Sequence, residues 1–237
     1  MGEGADFYAG YVTFKGWEAD EGIKRPEDYA ALLALGGHAR PRLLLDIGTG
    51  RAELLDWAKA QGIETFGTEI IPALAERAAA RGHRMIDPGL SESVGPFDVI
   101  TAIDVLEHLT PAQTLDLLAS VRRLLAADGR FLARFPNGQS PFSGLYQNGD
   151  LTHIQYLTPG SLRQMAEKSG LQLAGVYNPR SMPTGLQGIK RRAVYLVRDL
   201  IEVALGYAYF GRRAPMDANV AVVLQPSAGD GGQDAED

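Results

Sequence analysis

The residues best placed to do chemistry lie between Arg42 and Glu69. The run Leu43-Leu-Leu-Asp46-Ile-Gly48-Thr49-Gly50-Arg-Ala52-Glu53 is followed, after a helix-like stretch, by Ile63-Glu-Thr-Phe-Gly-Thr-Glu69. An apolar strand ends in an acid and enters a turn with two glycines, and a second apolar segment ends in another acid. That is the layout of a pocket where two parallel strands meet, with a carboxylate set for ribose hydroxyls. A dinucleotide pocket would carry a third glycine, so that backbone amides close on a pyrophosphate at a helix N-terminus. Glu53 stands there instead and would repel a pyrophosphate, and no G-x-x-x-x-G-K-[ST] cradle occurs in the chain. The pocket suits a nucleoside without phosphate.

S-adenosylmethionine, with its adenosine, sulfonium cation and amino-acid tail, answers to these groups. Asp46 can face the cationic end, Gly48 and Gly50 let the backbone approach, and Glu69 can accept from both ribose hydroxyls. Charge-assisted bonds of this kind contribute roughly 1.5–3 kcal/mol each.

At this point the chain resembles the class I S-adenosylmethionine-dependent methyltransferases. The resemblance rests on Asp46-Ile-Gly48-Thr49-Gly50, on Glu69 with Ile70 beside it, on Asp87 after a third strand, and above all on Phe97 through Asp104-Val-Leu-Glu-His108-Leu109. It covers about residues 40 to 177. Where many members carry a third small residue, Gly or Cys, this chain has Ala52. The family implies that Asp87 reaches the adenine amino group, although Asp-Pro-Gly is also a plain turn sequence. It places Asp104 near the methionine moiety and makes S-adenosylhomocysteine the product.

Methyl transfer from a sulfonium is an in-line displacement in which alignment does much of the work. A hydroxyl acceptor must also lose its proton, so a general base helps. Histidine is the usual base because its pKa lies near neutral, and the chain has four. His38 and His83 sit in turn-like segments flanked by Gly and Arg and are expected at the surface. His108 follows the strand that passes the methyl group; it either touches substrate or holds its loop for the cofactor. His153 is the preferred base, with orientation of the substrate or a structural role as alternatives. Its segment, Leu151-Thr-His153-Ile-Gln-Tyr-Leu-Thr-Pro-Gly-Ser-Leu162, resembles a stretch that lines the acceptor side in ubiquinone-biosynthesis and bacterial glycan O-methyltransferases. Arg134 and Asn137 end the preceding strand at the same rim and are candidates for binding the acceptor, though Asn137-Gly138 is also a turn signal. No metal site is expected.

Strands and helices alternate in the way that positions such residues along one edge of a mostly parallel sheet. Strands are expected near 42–47, 63–68, 84–86, 97–103, 129–135, 171–177 and 218–225, and helices near 26–36, 51–60, 72–81, 111–126, 159–169 and 189–209. Thr110-Pro111 and Thr158-Pro159 each pair an N-cap with Pro at the first helical position, and Pro72 starts another helix. Asp128-Gly129 and Ser169-Gly170 are read as helix ends. The fold class is α/β: a Rossmann-like, seven-stranded, mostly parallel sheet flanked by helices. The family resemblance adds an antiparallel last strand.

Residues 1–40, rich in aromatics (Phe7, Tyr8, Tyr11, Phe14, Trp17), are read as an N-terminal helical cap over the cofactor mouth or as cover for a sheet edge. Residues 41–225 form the cofactor-binding domain, with a basic helical insertion at 178–217 before the last strand. Residues 226–237 read as a disordered acidic tail. A net charge of −6, less the tail acids Asp230, Asp234, Glu236 and Asp237, leaves about −2 for the rest. Residues 178–215 of the insertion are basic, with Arg180, Lys190, Arg191, Arg192, Arg198, Arg212 and Arg213 against Asp199 and Glu202. Its helix, 189–210, has apolar residues at helical spacing. It is read as packed on the sheet or on a second subunit in a homodimer, as peripheral to an anionic membrane, or as holding a phosphorylated acceptor.

Zero cysteines exclude disulfides and thiolate metal sites. No secretion signal and no membrane-length apolar run is read, so a cytoplasmic location is expected, peripheral at the inner membrane face if the helix binds lipid. Nucleic acid is not an expected partner. The leading expectation is O-methylation of a sugar, glycan, nucleotide-sugar or lipid-linked saccharide hydroxyl, as in bacterial polysaccharide biosynthesis. A quinone-like or secondary-metabolite phenol is second, a non-catalytic S-adenosylmethionine-binding protein third, and an NAD-dependent oxidoreductase a distant fourth.

Overall fold

The computed structural model describes residues 10–17, 26–37, 41–92, 94–181 and 185–227. His38, Phe7, Tyr8 and tail residues 228–237, about which the sequence raised expectations, lie outside the described residues. The elements are α1 (Tyr11–Phe14), α2 (Pro26–Leu35), β1 (Leu43–Ile47), α3 (Glu53–Ala60), β2 (Glu64–Thr68), α4 (Pro72–Ala80), β3 (Arg84–Met85) and β4 (Phe97–Ile103). A single 3-10 turn (Leu106–His108), α5 (Pro111–Leu124), β5 (Leu125–Pro136), α6 (Gly144–Gln147), α7 (Pro159–Lys168), β6 (Leu171–Tyr177), α8 (Gly185–Phe210) and β7 (Asn219–Pro226) follow.

The seven strands form one sheet in the order β3-β2-β1-β4-β5-β7-β6. Neighbours from β3 to β5 pair parallel, and β7 runs antiparallel to both β5 and β6. Period-two alternation sends side chains to two cores. Leu45, Ile100, Phe131 and Val222 pack against Leu118, Val121, Leu162 and Ala166 of α5 and α7. Leu44, Val99, Leu132 and Val223 meet Leu33, Leu54, Leu55 and Ala78 of α2, α3 and α4 on the other face. Chain order reverses between β1 and β4, and in such sheets ligands bind at the carboxyl ends of the strands there.

The expected caps form. Thr110 and Thr158 each close a capping box, with Gln113 and Ser161, ahead of Pro at the start of α5 and α7. Pro72 opens α4, and Gly170 after α7 takes φ +72°. Gly129 differs from expectation. Helix α5 stops at Leu124, Leu125 is already extended, and β5 starts there because Leu125 pairs with Phe97 of β4. A long-range strand partner overrides the local turn signal. His83 is the second correction: it is 6% exposed and its Nε2 lies 2.7 Å from Asp56 Oδ1 on α3, so helix packing draws it inside.

Candidate active site

The β1 turn is shaped for close approach. Gly48 adopts φ +70°, and a Cβ there would sit 2.6 Å from Val105, so a larger residue would both strain the backbone and clash. Gly48 and Thr49 donate their N–H groups to Thr68 O at the end of β2, which ties the two strand ends together. Glu69 follows directly. Its Oε2 accepts from Gly50 N–H at 2.8 Å and its Oε1 from Ile71 N–H at 2.9 Å. Two backbone donors orient the carboxylate, and burial raises its pKa. Asp46 is buried, accepts from Thr101 Oγ1 at 2.7 Å, and is pushed up to about 7, first by burial and then by the nearby Glu69 charge.

These residues open into a cavity of about 1350 Å³. Asp46, Gly48, Thr49, Gly50, Glu69, Ile70 and Asp104 all line it. The N-terminal segment lines it too, through Tyr11, Phe14, Lys15 and Trp17, and the Trp17 ring lies over Gly50. Arg77 Nη1 of α4 donates to Trp17 O at 2.8 Å and anchors that segment. Glu53 is on the wall as well, paired with Arg51 and accepting from Tyr29 Oη at 3.2 Å.

A second group of side chains faces the cavity from the β4 and β5 side. The His108 and His153 rings meet edge to face with centroids 4.8 Å apart. His108 Nδ1 lies 3.1 Å from Thr152 O, and His153 Nδ1 lies 3.2 Å from Gln147 O. A carbonyl only accepts, so in each neutral ring Nδ1 carries the hydrogen and Nε2 keeps the lone pair. His153 Nε2 is 3.9 Å from both Glu107 Oε1 and Asp150 Oδ2. Glu107 is 1% exposed and neither of its carboxylate oxygens has a normal hydrogen-bond partner. Burial, then the Asp104 charge, pushes its pKa up to about 8. Burial acts the same way on Asp150, but hydrogen bonds from Lys15, at 2.7 Å, and Thr152 outweigh it and hold that carboxyl well below the usual range. Burial and then the neighbouring His153 lower the His108 pKa.

A family model described as a methyltransferase domain matches residues 22–175. The chain belongs to that family. Among its relatives, the ubiquinone biosynthesis O-methyltransferase of Xylella fastidiosa (strain M23) is 26% identical over 159 residues, 59% of this chain and 65% of that protein. This chain therefore spans just under two thirds of that relative's length. A TehB-like SAM-dependent methyltransferase of Corynebacterium glutamicum matches with TM-score 0.57 and 17% identity, over 94% of this chain and 98% of that one. The Burkholderia thailandensis 1,6-didemethyltoxoflavin-N1-methyltransferase, with bound 1,6-didemethyltoxoflavin and S-adenosylhomocysteine, matches with TM-score 0.58 and 19% identity, over 94% and 87%. Likenesses at these identities speak to the fold: a class I, Rossmann-like methyltransferase sheet.

S-adenosylmethionine is the cofactor of this class, and the chain offers residues that fit it. Glu69 is preset by two amides, and Asp46 sits within the wall. Thr49 Oγ1 is buried there with no partner, a hydroxyl left for a ligand to satisfy.

Two expected contacts are placed elsewhere, and a third is taken up by a neighbour. Asn137 is 0% exposed, and its Nδ2 donates to Pro215 O and Asp217 O at 3.0 and 3.3 Å. It fastens the approach to β7 and does not face an acceptor. Asp87 lies outside the cavity wall; its carboxylate is drawn into its own turn by Ser91 Oγ at 3.0 Å, and Pro88, Gly89 and Leu90 line the wall in its place. Arg134 reaches the cavity, but Nε and Nη2 are spent on a two-pronged pair with Asp104. That pair holds Asp104 at φ +56°.

Sequence reasoning missed Glu107, Asp150 and Lys15. Glu107 was visible only as part of the Asp104–Leu109 run. Lys15 and Asp150 meet across a separation in sequence that no local pattern reports.

Proposed function

We propose that the methyltransferase transfers a methyl group from S-adenosylmethionine to a hydroxyl oxygen, with His153 as the general base. The observation that carries this is the place of His153 at the cavity wall, with Nδ1 3.2 Å from Gln147 O and Nε2 3.9 Å from both Glu107 Oε1 and Asp150 Oδ2. When bound, the cofactor supplies an electrophilic methyl on a sulfonium. Glu69 and Asp46 hold and orient it from the β1–β2 side. The aromatic cover of Trp17 and Tyr11 excludes water. His153 would take the acceptor hydroxyl's proton at Nε2 as the methyl passes from sulfur to oxygen, and the charge it gains would be stabilised by ionised Asp150.

A planar phenol is the favoured acceptor. Tyr11, Phe14, Leu109, Leu145 and Tyr146 supply aromatic and aliphatic wall to the cavity, which suits an apolar ring better than a sugar whose hydroxyls each need a polar partner. The ubiquinone-biosynthesis O-methyltransferase likeness supports the same order. A sugar or glycan hydroxyl, the leading expectation from sequence, becomes the second reading; the polar Glu107, Gln113 and Asp150 on the same wall favour it. The deciding test is transfer of label from methyl-labelled S-adenosylmethionine to a panel of phenols, catechols, sugars and nucleotide sugars. Labelled phenol ethers support the first reading and labelled sugar ethers replace it with the second. Transfer to amines alone would remove both.

A further inference from the structure

Helix α8 is turned the wrong way round for a helix in water. It is 26 residues long, about 39 Å. The residues it buries are Gly188, Tyr195, Glu202 and Gly206, a small or polar stripe. Its two acids both face inward and are neutralised. Asp199 receives Arg180 Nη1 and Arg213 Nη2, each at 3.0 Å, and Glu202 receives Arg213 Nε at 2.9 Å and Met216 N–H at 3.0 Å. Tyr195 Oη donates to Ser181 O at 3.1 Å on the same side. At 100° per residue, the other apolar residues from Leu186 to Ala208 sweep an arc of roughly 200° on the opposite side. They face solvent: Ile189 is 65% exposed, Leu196 62%, Leu200 63% and Tyr207 62%.

The unpaired charge on and just beyond α8 is of one sign. Arg180, Arg198 and Arg213 are consumed by Asp199, Glu202 and Asp217. Lys190 and Arg192, in the second turn of α8, and Arg212, just past its end, have no ion pair among the described residues. No acid lies on the outward arc. Tyr209 and Phe210 add exposed aromatic surface at the C-terminal end.

We propose that α8 lies flat in the headgroup region of an anionic lipid bilayer, its apolar arc down and Lys190, Arg192 and Arg212 against lipid phosphates. This goes beyond the methyl-transfer reading and does not depend on it. Charge chooses the occupant. In a two-fold dimer the same patch meets itself, and a patch bearing cations and no acids offers its own copy no partner for them; phosphate does. The helix lies on the bilayer and does not cross it, since among the described residues no helix is long and apolar enough to span a membrane.

The test is co-sedimentation of the full chain with phosphatidylcholine vesicles, with and without roughly 30% phosphatidylglycerol, near 0.1 M salt, where screening acts beyond about 10 Å. The chain is expected to bind the anionic vesicles at least about tenfold better than the neutral ones. The double variant Lys190→Gln with Arg192→Gln should weaken that binding about thirtyfold, the combined worth of two basic residues at such a surface. Leu200→Asp should abolish it, with circular dichroism and thermal midpoint showing an unchanged fold. Equal binding to both vesicle types, no binding to either, or a folded Leu200→Asp variant that sediments like the parent would overturn the proposal. So would a lipid-free dimer that Leu200→Asp splits into monomers while the parent ignores vesicles; the face would then belong to a second copy.

Discussion

Replacing Glu107 by Gln should make the protein more stable at high pH. The side chain is 1% exposed, its oxygens lack normal partners, and its pKa is pushed from 4.5 to about 8 by burial and by Asp104. Below pH 4.5 the folded and unfolded chains both hold the proton, so the group contributes no difference. Between 4.5 and about 8 the native state keeps a proton that the unfolded chain releases, so stability falls as pH rises; above 8 both are ionised and the loss is complete. From pH 6 to pH 9 the group therefore costs about 2.7 kcal/mol, two pH units at about 1.36 kcal/mol each. That is a large share of the roughly 5–15 kcal/mol that holds a domain folded. Glutamine has the shape of the protonated acid and cannot ionise. Urea unfolding should show parent and Glu107→Gln nearly equal near pH 4, and the variant's lead should grow by about 2.7 kcal/mol between pH 6 and pH 9. Parallel stability curves across that range, or a variant weaker at pH 9, would refute the assignment of a buried, proton-holding carboxyl.

Glu69→Ala should weaken S-adenosylmethionine binding at least about tenfold by calorimetry, from loss of charge-assisted bonds worth roughly 1.5–3 kcal/mol each, while Asp87→Ala should change it little; the reverse pattern would move the adenosine. Because Asp46 is pushed up to about 7 and must ionise to face a cation, cofactor affinity should fall about tenfold from pH 8 to pH 6. Asp46→Asn should flatten that profile, and an unchanged slope would clear Asp46 of the role. His153→Ala should cut kcat about 10²–10⁴-fold with cofactor affinity intact, and a normal rate would take the base away from it. Asn137→Ala should cost about 1–3 kcal/mol in urea unfolding, because it strands the carbonyls of Pro215 and Asp217. A raised KM at full stability would instead return it to the acceptor site.

Local chemistry was enough for the α/β alternation, the two Thr-Pro helix starts, the turn at Gly48 and the acid pair Asp46 and Glu69. Each depends on residues a few positions apart, where periodicity, caps and left-handed glycines act directly on the backbone. The family resemblance carried the antiparallel last strand and singled out His108 and His153. Only the tertiary structure decided what surrounds them. It buried Asn137 and His83, turned Asp87 onto Ser91, and tied Arg134 to Asp104, because burial and pairing are settled between segments far apart in sequence. Lys15, Glu107 and Asp150 gather around His153 for the same reason. Helix α8 shows the division most clearly. Its spacing marks an amphipathic helix in any context, but spacing is blind to which face turns inward. Arg180, Arg213 and Asn178 claim its acids from outside the helix, and so leave its apolar face in solvent.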